Sequence, residues 1–180
     1  MNAKPEIIVD KDITLKRFSH DADQQKFDLI VKNHDHLLPW LPWANFYHEI
    51  SDMEQFTSGQ IAKFDTGATL GYDIFYHDTL VGSLDLQKIS TMNHNACIGY
   101  WLDQDHTGKG IMTRAVDALT KYSFNELNLH RVSIEVAPEN TASVAVAKRL
   151  DFKYEATLRE AQLLDEKYYD TEVYTKFNKK

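Results

Sequence analysis

Two stretches of the sequence carry residues whose types and spacing could do chemistry. The first contains Thr107-Gly108-Lys109-Gly110, directly before a segment with helical periodicity. The first N–H groups of a helix lack internal partners and the helix dipole makes that end partly positive, so phosphate can bind there. The two glycines would remove the side chains that block its approach, or would simply close a tight turn. Asp103 and Asp105 would repel phosphate unless they point outward.

The second stretch runs from Ile134 to Ser143 and also leads from a strand into a helix. Strand alternation places Glu135 on the opposite face from its two neighbours, where it could take a proton or be a plain surface residue. Asn140 is a good helix N-cap, and Ser143 follows in the first turn. These residues could be capping groups only. The two stretches together are more specific than either alone.

Other chemistry is less well supported. A dinucleotide loop needs a third glycine, and Thr113 stands in that place, so a nicotinamide-dependent oxidoreductase is disfavoured. His34-Asp35-His36 could begin a metal site, but no third ligand is indicated and a solvated helix end fits better. Cys97 is better explained as a small buried thiol than as a nucleophile. We expect no metal.

Hydrophobic periodicity divides the chain into alternating strands and helices. Strands are predicted over 14–18, 71–76, 79–89, 96–102, 131–136, 152–157 and 167–177, and helices over 20–33, 51–64, 110–127 and 142–150. Ser51 is expected to cap the second helix. Two prolines stop the first helix before Trp40 and Trp43, which could line an acceptor pocket or pack the helix connection. The order predicts a mixed α/β sheet with helices on both faces.

Composition narrows the functional classes. The 180 residues carry a net charge of −7, which argues against nucleic acid and favours a cationic or neutral partner. A single cysteine excludes an internal disulfide. Neither a signal-peptide core nor a membrane span is evident, so we expect a cytoplasmic protein without a membrane partner. No linker or repeat interrupts the chain, and we expect one domain over 1–180.

The run Ile98-Gly99-Tyr100-Trp101-Leu102, followed by Gly108-Lys109-Gly110, resembles the GCN5-related N-acetyltransferase (GNAT) family. The resemblance continues through 122–132, Pro138-Glu139-Asn140, Ser143 and 149–152. It is closest to the RimJ/RimL-like branch, which acetylates ribosomal proteins. It is tight from 98 to 152 and looser elsewhere.

The resemblance implies a central, twisted and mostly antiparallel sheet of six to seven strands, flanked by about four helices. The sheet would be splayed between its fourth and fifth strands, at 96–102 and 131–136, to admit the pantetheine of acetyl-CoA. The implied cofactor-binding residues are Tyr100, Trp101, Leu102, Thr107, Gly108, Lys109, Gly110, Ile111, Met112, Thr113, Asn140 and Ser143.

The sequence departs from the family at three positions. Thr107 stands where Arg is common, so one cation near the phosphates is missing, and Asp151 replaces a usual glycine. Cys97 stands where many relatives carry a glutamate. Glu135 matches a glutamate that serves as the general base in RimI-type relatives, and it is the implied replacement.

The resemblance therefore implies an acetyl-CoA-dependent N-acetyltransferase that transfers the acetyl group directly to a primary amine. The expected acceptor is the N-terminal amine of a protein or peptide, in particular a basic one, with a small cationic amine as an alternative. Glu135, Asn140 and Ser143 would be catalytic, and Ser143 would protonate the departing thiolate. A non-catalytic acyl-CoA-binding module is the alternative from another class. The oligomeric state stays open, with a homodimer among the alternatives.

Overall fold

The computed structural model describes residues 3–164 and 166–179, which form one eight-stranded sheet with the strand order β1-β2-β3-β4-β5-β6-β8-β7. The strands are β1 (Glu6–Ile8), β2 (Ile13–Arg17), β3 (Leu70–Tyr76), β4 (Thr79–Ser90), β5 (Asn95–Leu102), β6 (Arg131–Val136), β7 (Lys153–Leu164) and β8 (Lys167–Phe177). Neighbouring strands are antiparallel except β5 and β6, which are parallel.

Five α-helices cover the two faces of the sheet. They are α1 (Asp23–Lys32), α2 (His34–Leu37), α3 (Ile50–Thr66), α4 (Ile111–Asn125) and α5 (Thr141–Arg149). Residues of α4 and α5, such as Leu119 and Ala147, pack in the main core against Leu84 and Ile98. We call this side the α4 face. Trp101 points to the opposite side, the α1 face, where a second core joins it to α1 and α3.

The predicted mixed α/β architecture is confirmed, but the sheet has eight strands and not six to seven. The additional strand, β1, is only three residues long and pairs along β2 at the sheet edge. Its Ile8 side chain is 74% exposed, so the sequence of β1 shows no alternation of buried apolar and exposed polar residues that would predict a strand. β7 extends to Leu164, well beyond the predicted 152–157. Most of its residues are exposed on both faces, so its sequence lacks the alternation of apolar and polar residues by which strands are predicted.

The helix predictions need two corrections. The helix predicted over 20–33 begins only at Asp23 and ends at Lys32, and a further short helix, α2, follows Asn33, whose side-chain amide donates to the Leu29 carbonyl. The described residues thus form five α-helices where about four were expected. Helix α3 is not capped by Ser51. Glu49 is its N-cap, and the side chains of Glu49 and Asp52 each accept the other residue's backbone N–H.

Within the described part of the chain, no helix combines the length and the apolar character needed to span a membrane.

Gly82 on β4 allows β5 to approach closely. A Cβ atom there would lie 2.3 Å from the Trp101 carbonyl oxygen, which is backbone and cannot rotate away. A Cβ atom added at Gly59, within α3, would have no atom within 4 Å. We predict that Gly82→Ala lowers the free energy of unfolding by about 1–3 kcal/mol, as overpacked sites do. Gly59→Ala should raise it by about 0.5–1 kcal/mol, because alanine favours the helix.

Urea denaturation of both variants measures the two effects. Equal effects of the two substitutions would contradict the close approach of β4 and β5.

Candidate functional site

An opening in the sheet lies between β5 and β6. Their parallel pairing covers only Asn95–Cys97 with Arg131–Ser133, although the strands continue to Leu102 and Val136. Beyond these three pairs the outer edge of β5 has no strand beside it among the described residues. This is the splay expected between the two strands, and it leaves backbone donors and acceptors available to an extended ligand.

The loop from β5 to α4 ends beside this opening. Gly108 and Gly110 have φ angles of 74° and 72°, a left-handed conformation that other residues rarely adopt. A Cβ at either position would meet no atom within 4 Å. Gly110 is the N-cap of α4 and supplies no side-chain cap, and the first turn carries no acidic residue. The N–H groups that open α4 therefore face a space that can accept an anion.

The start of this loop is anchored by Asp103, which is almost fully buried. Its carboxylate accepts hydrogen bonds from Asn33 at 2.8 Å, His106 at 2.6 Å and Lys32 at 3.0 Å. Burial alone would raise the pKa of Asp103, but these hydrogen bonds outweigh burial and lower it to about 2. The charge is thus satisfied internally by residues from the end of α1 and from the loop itself. We call Asp103, Lys32, Asn33 and His106 the loop clamp.

The charges around the loop are mostly paired. Asp105 accepts from Lys32 at 2.6 Å, so its charge is compensated. Arg114, near the start of α4, pairs with Asp10 at 2.8 Å. The hydroxyl of Thr107 donates to the Gln104 carbonyl. Lys109 is exposed and lies between the two glycines, where its charge would meet a bound phosphate.

The start of α5 faces the opening from the other side. The Asn140 side chain accepts from the Ser143 backbone N–H at 3.2 Å, so Asn140 is the helix N-cap that the sequence predicted. The Ser143 carbonyl accepts a hydrogen bond from the Tyr100 hydroxyl at 3.2 Å, and burial raises the pKa of that phenol to about 12. Tyr100 thereby spans from β5 to α5. Among the described residues, no partner occupies the Ser143 hydroxyl.

Glu135 lies on β6 just beyond the last pair with β5. Its carboxylate is 2.7 Å from the ammonium of Lys88, which compensates its charge. Cys97 shares this face of the sheet, because it pairs with Ser133 and side chains alternate along β6. The thiol is buried, and burial raises its pKa to about 11, so it remains protonated at neutral pH.

The two tryptophans considered for an acceptor pocket have different surroundings. Trp43 packs at an angle against Tyr47 and Trp101, with ring centroids 5.9 and 6.3 Å away, within the second core. Trp40 is half-buried, and its carbonyl accepts from the Gln162 side chain of β7 at 3.2 Å. Trp43 thus packs the helix connection, while Trp40 contacts β7.

One carboxyl group near the opening, that of Asp85, was not predicted from the sequence as a site residue. Asp85 on β4 is paired in register with Gly99, two residues beyond the last β5–β6 pair. Burial raises its pKa to about 6. In the sequence it is an ordinary polar position of an alternating strand, and only the register places it beside the opening. Across the described ranges 3–164 and 166–179, no group of three His, Cys, Asp or Glu residues could hold a metal ion.

Comparison with known proteins gives one consistent result. A family model described as an acetyltransferase (GNAT) domain matches residues 12–153. The ribosomal-protein-serine acetyltransferase of Escherichia coli (strain K12) is 30% identical over 170 residues, which cover 94% of this chain and 95% of that enzyme.

Two solved structures have the same fold over nearly the whole chain. RimL, a ribosomal L7/L12 α-N-protein acetyltransferase in complex with coenzyme A, superposes with a TM-score of 0.93 at 28% identity, covering 96% of this chain and 97% of RimL. The microcin C7 self-immunity acetyltransferase MccE, in complex with acetyl-CoA and AMP, also gives 0.93 at 28% identity, covering 98% of each chain.

The loop clamp makes a pH-dependent contribution to stability. Because the pKa of Asp103 falls from its ordinary 3.8 to about 2 in the folded protein, the stabilisation is complete above about pH 4 and is lost as the pH falls towards 2. We predict that Asp103→Asn loses about 1.5–3 kcal/mol at pH 7, the usual contribution of hydrogen bonds to a charged group. The exposed Asp105, on the same lysine, is the control, and Asp105→Asn should lose less than about 1 kcal/mol.

Denaturation curves at pH 7, 4 and 2.5 measure both effects. A wild-type advantage over Asp103→Asn that does not shrink below pH 4 would contradict the assignment.

Proposed function

Because the chain belongs to the acetyltransferase (GNAT) family, we propose that it transfers the acetyl group of acetyl-CoA directly to the N-terminal amine of a basic protein, as ribosomal-protein acetyltransferases do. The coarser statement does not depend on the acceptor: the chain is an acetyl-CoA-dependent N-acetyltransferase. Its relatives in sequence and structure include enzymes named for acetylating ribosomal proteins.

The single observation that carries the proposal is the opening between β5 and β6 with an anion-accepting helix start at its mouth. We propose that the pyrophosphate of acetyl-CoA rests on the backbone over 107–113. The pantetheine arm would pair with the free edge of β5 at 100–102, whose backbone donors would also polarise the thioester carbonyl. The open space beside both loop glycines fits this arrangement, since a side chain at either position would enter it.

Direct transfer follows from placing both substrates in one opening. Holding amine and thioester together makes the reaction effectively intramolecular, which can lower the barrier by roughly 7–11 kcal/mol. We propose that the free hydroxyl of Ser143 protonates the departing thiolate and that Asn140 holds Ser143 in place through its backbone N–H. The role of Glu135 as the base stays a prediction from the sequence, and its ion pair with Lys88 weighs against it.

The acceptor is proposed from charge and basicity. The net charge of −7 attracts a basic protein. An N-terminal amine, with a pKa of about 8, is partly neutral at pH 7, whereas a lysine amine, with a pKa of about 10.4, demands a stronger base. We further propose that residues 1–180 act as one domain in the cytoplasm, without nucleic acid as a partner. The continuous sheet from β1 to β8 supports the single domain.

The proposed activity is tested by incubating the purified protein and acetyl-CoA with ribosomal proteins, lysine-free peptides and small cationic amines. Mass spectrometry should find the acetyl group on α-amines of basic proteins or peptides. Acetylation of small amines alone would replace the proposed acceptor. Tight acetyl-CoA binding without turnover of any amine would favour a non-catalytic binding module.

The loop prediction separates backbone conformation from steric access. Gly108→Val and Gly110→Val should abolish acetyl-CoA binding, because a branched residue opposes the positive φ and obstructs the phosphate. Gly108→Asn should keep its melting temperature better, since asparagine tolerates this conformation, but should still weaken binding at least about tenfold. Calorimetry with folded protein measures the affinity. Wild-type affinity in all three variants would contradict the phosphate-binding assignment.

Ser143→Ala separates catalysis from helix capping. This variant keeps the backbone N–H of residue 143, which donates to the Asn140 side chain, so the melting temperature should not fall. The turnover number should drop by on the order of 10²-fold while acetyl-CoA affinity changes little. Asn140→Ala, which removes the cap, should instead cost about 1 kcal/mol of stability. Unchanged turnover in Ser143→Ala would leave Ser143 without a catalytic role.

A further inference from the structure

Asp85 occupies an unusual position on β4, because its neighbours in register on both sides are glycines. Gly71 of β3 lies opposite on one side and Gly99 of β5 on the other. The ring of Phe18 fills the space above Gly71, where a Cβ would lie 2.3 Å from it. The half-buried Asp85 carboxyl therefore has a ring on one side and a position without a side chain on the other.

The carboxyl leans over Gly99 towards the opening. A Cβ at Gly99 would lie 2.8 Å from Asp85 Oδ1 and 2.7 Å from Gln87 Nε2. The Gly99 backbone N–H donates to Oδ1 at 3.2 Å. Among the described residues, the Gly99 N–H is the hydrogen-bond donor to the carboxyl, and no salt bridge reaches it. One carboxylate oxygen is thus held in place and the other remains available.

A row of aromatic rings leads from one side of Asp85 to the other on the α1 face. Phe18 packs against Phe56 at 6.0 Å, and Phe56 packs against Tyr47 at 6.0 Å. Tyr47 contacts Trp43, which contacts Trp101, two residues beyond Gly99 on the same face. Ring faces attract cations, and they also exclude water from the carboxylate they border.

The strand register fixes where Asp85 lies relative to the proposed cofactor. Gly99 lies just inside the free edge of β5, where the opening narrows towards its last pair at Cys97. A pantetheine arm on the backbone of 100–102 would bring its thioester to this narrow end. An amine approaching from the α1 face would meet the side chains of Asp85 and Gln87, which occupy the space over Gly99. Asp85 is the carboxyl that leans over this position.

We propose that Asp85 binds the ammonium group of the acceptor over Gly99 and takes its proton before attack. The proposal rests on the proposed acetyltransferase function and names the group that binds and deprotonates the acceptor.

The Asp85 carboxylate takes one proton from the acceptor ammonium, which becomes a neutral amine. The amine nitrogen forms a bond to the thioester carbonyl carbon, and the carbon–sulfur bond breaks. The Ser143 hydroxyl gives its proton to the thiolate and takes up the second nitrogen-bound proton in its place, giving the amide and coenzyme A, and Asp85 returns its proton to solvent.

The charges around Asp85 favour this role over Glu135. Lys63 of α3 acts on Asp85 only through its field and pairs with it through no short contact. The Lys26–Asp73 ion pair, on the same face, is internally compensated at 3.0 Å. Lys88 already pairs with Glu135. Burial holds the pKa of Asp85 at about 6, which suits an acceptor of protons at neutral pH.

The test uses a lysine-free, arginine-containing peptide with a free N-terminus and follows kcat/KM from pH 5 to 9.5. The wild-type profile should fall below about pH 6, where Asp85 is protonated, and above about pH 8, where the ammonium form disappears. Asp85→Asn should lose about 100-fold or more at pH 7 and rise continuously with pH, because only amine that is already neutral can react. Its acetyl-CoA affinity should stay within about twofold of the wild type.

The controls separate charge, position and fold. Asp21→Asn, at an exposed site, should match the wild type. Asp85→Glu should recover activity relative to Asp85→Asn and regain the acidic limb. If Asp85→Asn does not fold, the wild-type profile and Asp85→Glu decide the question.

Three results would overturn the proposal. The first is a wild-type profile of kcat/KM that rises steadily through pH 8. The second is a kcat/KM of Asp85→Asn within about threefold of the wild type. The third is a greater loss of kcat/KM in Glu135→Gln than in Asp85→Asn. A wild-type protein that binds acetyl-CoA and acetylates no amine would instead overturn the proposed function.

Discussion

The early end of the parallel pairing between β5 and β6 is the constraint on which the rest of the structure depends. Three residue pairs hold the strands together, and beyond Cys97 and Ser133 they follow different neighbours. β5 remains paired with β4 up to Leu102, while β6 pairs with β8 along its whole length. Among the described residues, no strand therefore pairs with the outer edge of β5 beyond Cys97, and unpaired backbone groups are costly where water is excluded. The amide groups of pantetheine, which we propose to bind here, would offset that cost.

Buried polar contacts hold the elements that border the opening. The loop clamp joins the end of α1 to the loop that precedes α4, and the Gln104 backbone N–H also donates to the Asn33 side chain at 2.8 Å. The Lys26–Asp73 pair joins α1 to the sheet, and burial still raises the pKa of Asp73 to about 6. Removing one partner from such a pair leaves an uncompensated buried charge, so each contact disfavours other placements of the elements that it joins. The cofactor loop and the acceptor side are thus positioned by one helix, α1.

The features that local patterns encode were predictable from the sequence. Residue type and spacing predict the central hairpin, whose turn residues His77 and Asp78 both have positive φ angles. They also predict the amphipathic helix α4, which follows two glycines. Features that depend on contacts distant in sequence were not. The loop clamp joins Asn33 to Asp103, 70 residues apart, and β7 is exposed on both faces and so lacks alternation. The site was predictable in part for the same reason. Gly108, Asn140 and Ser143 lie in local motifs, whereas the environment of Asp85 exists only once Gly71 and Gly99 are brought into register.

The central claim is that acetyl-CoA occupies the free edge of β5 and the start of α4. Hydrogen exchange of the backbone amides, with and without acetyl-CoA, measures this most directly. The account predicts new protection of amides in 100–102 and 108–113, along the outer edge of β5 and in the turn that opens α4. It predicts little change in β1 to β3, which lie on the far side of the sheet. Protection confined to other parts of the chain, with those two segments unchanged, would contradict the account.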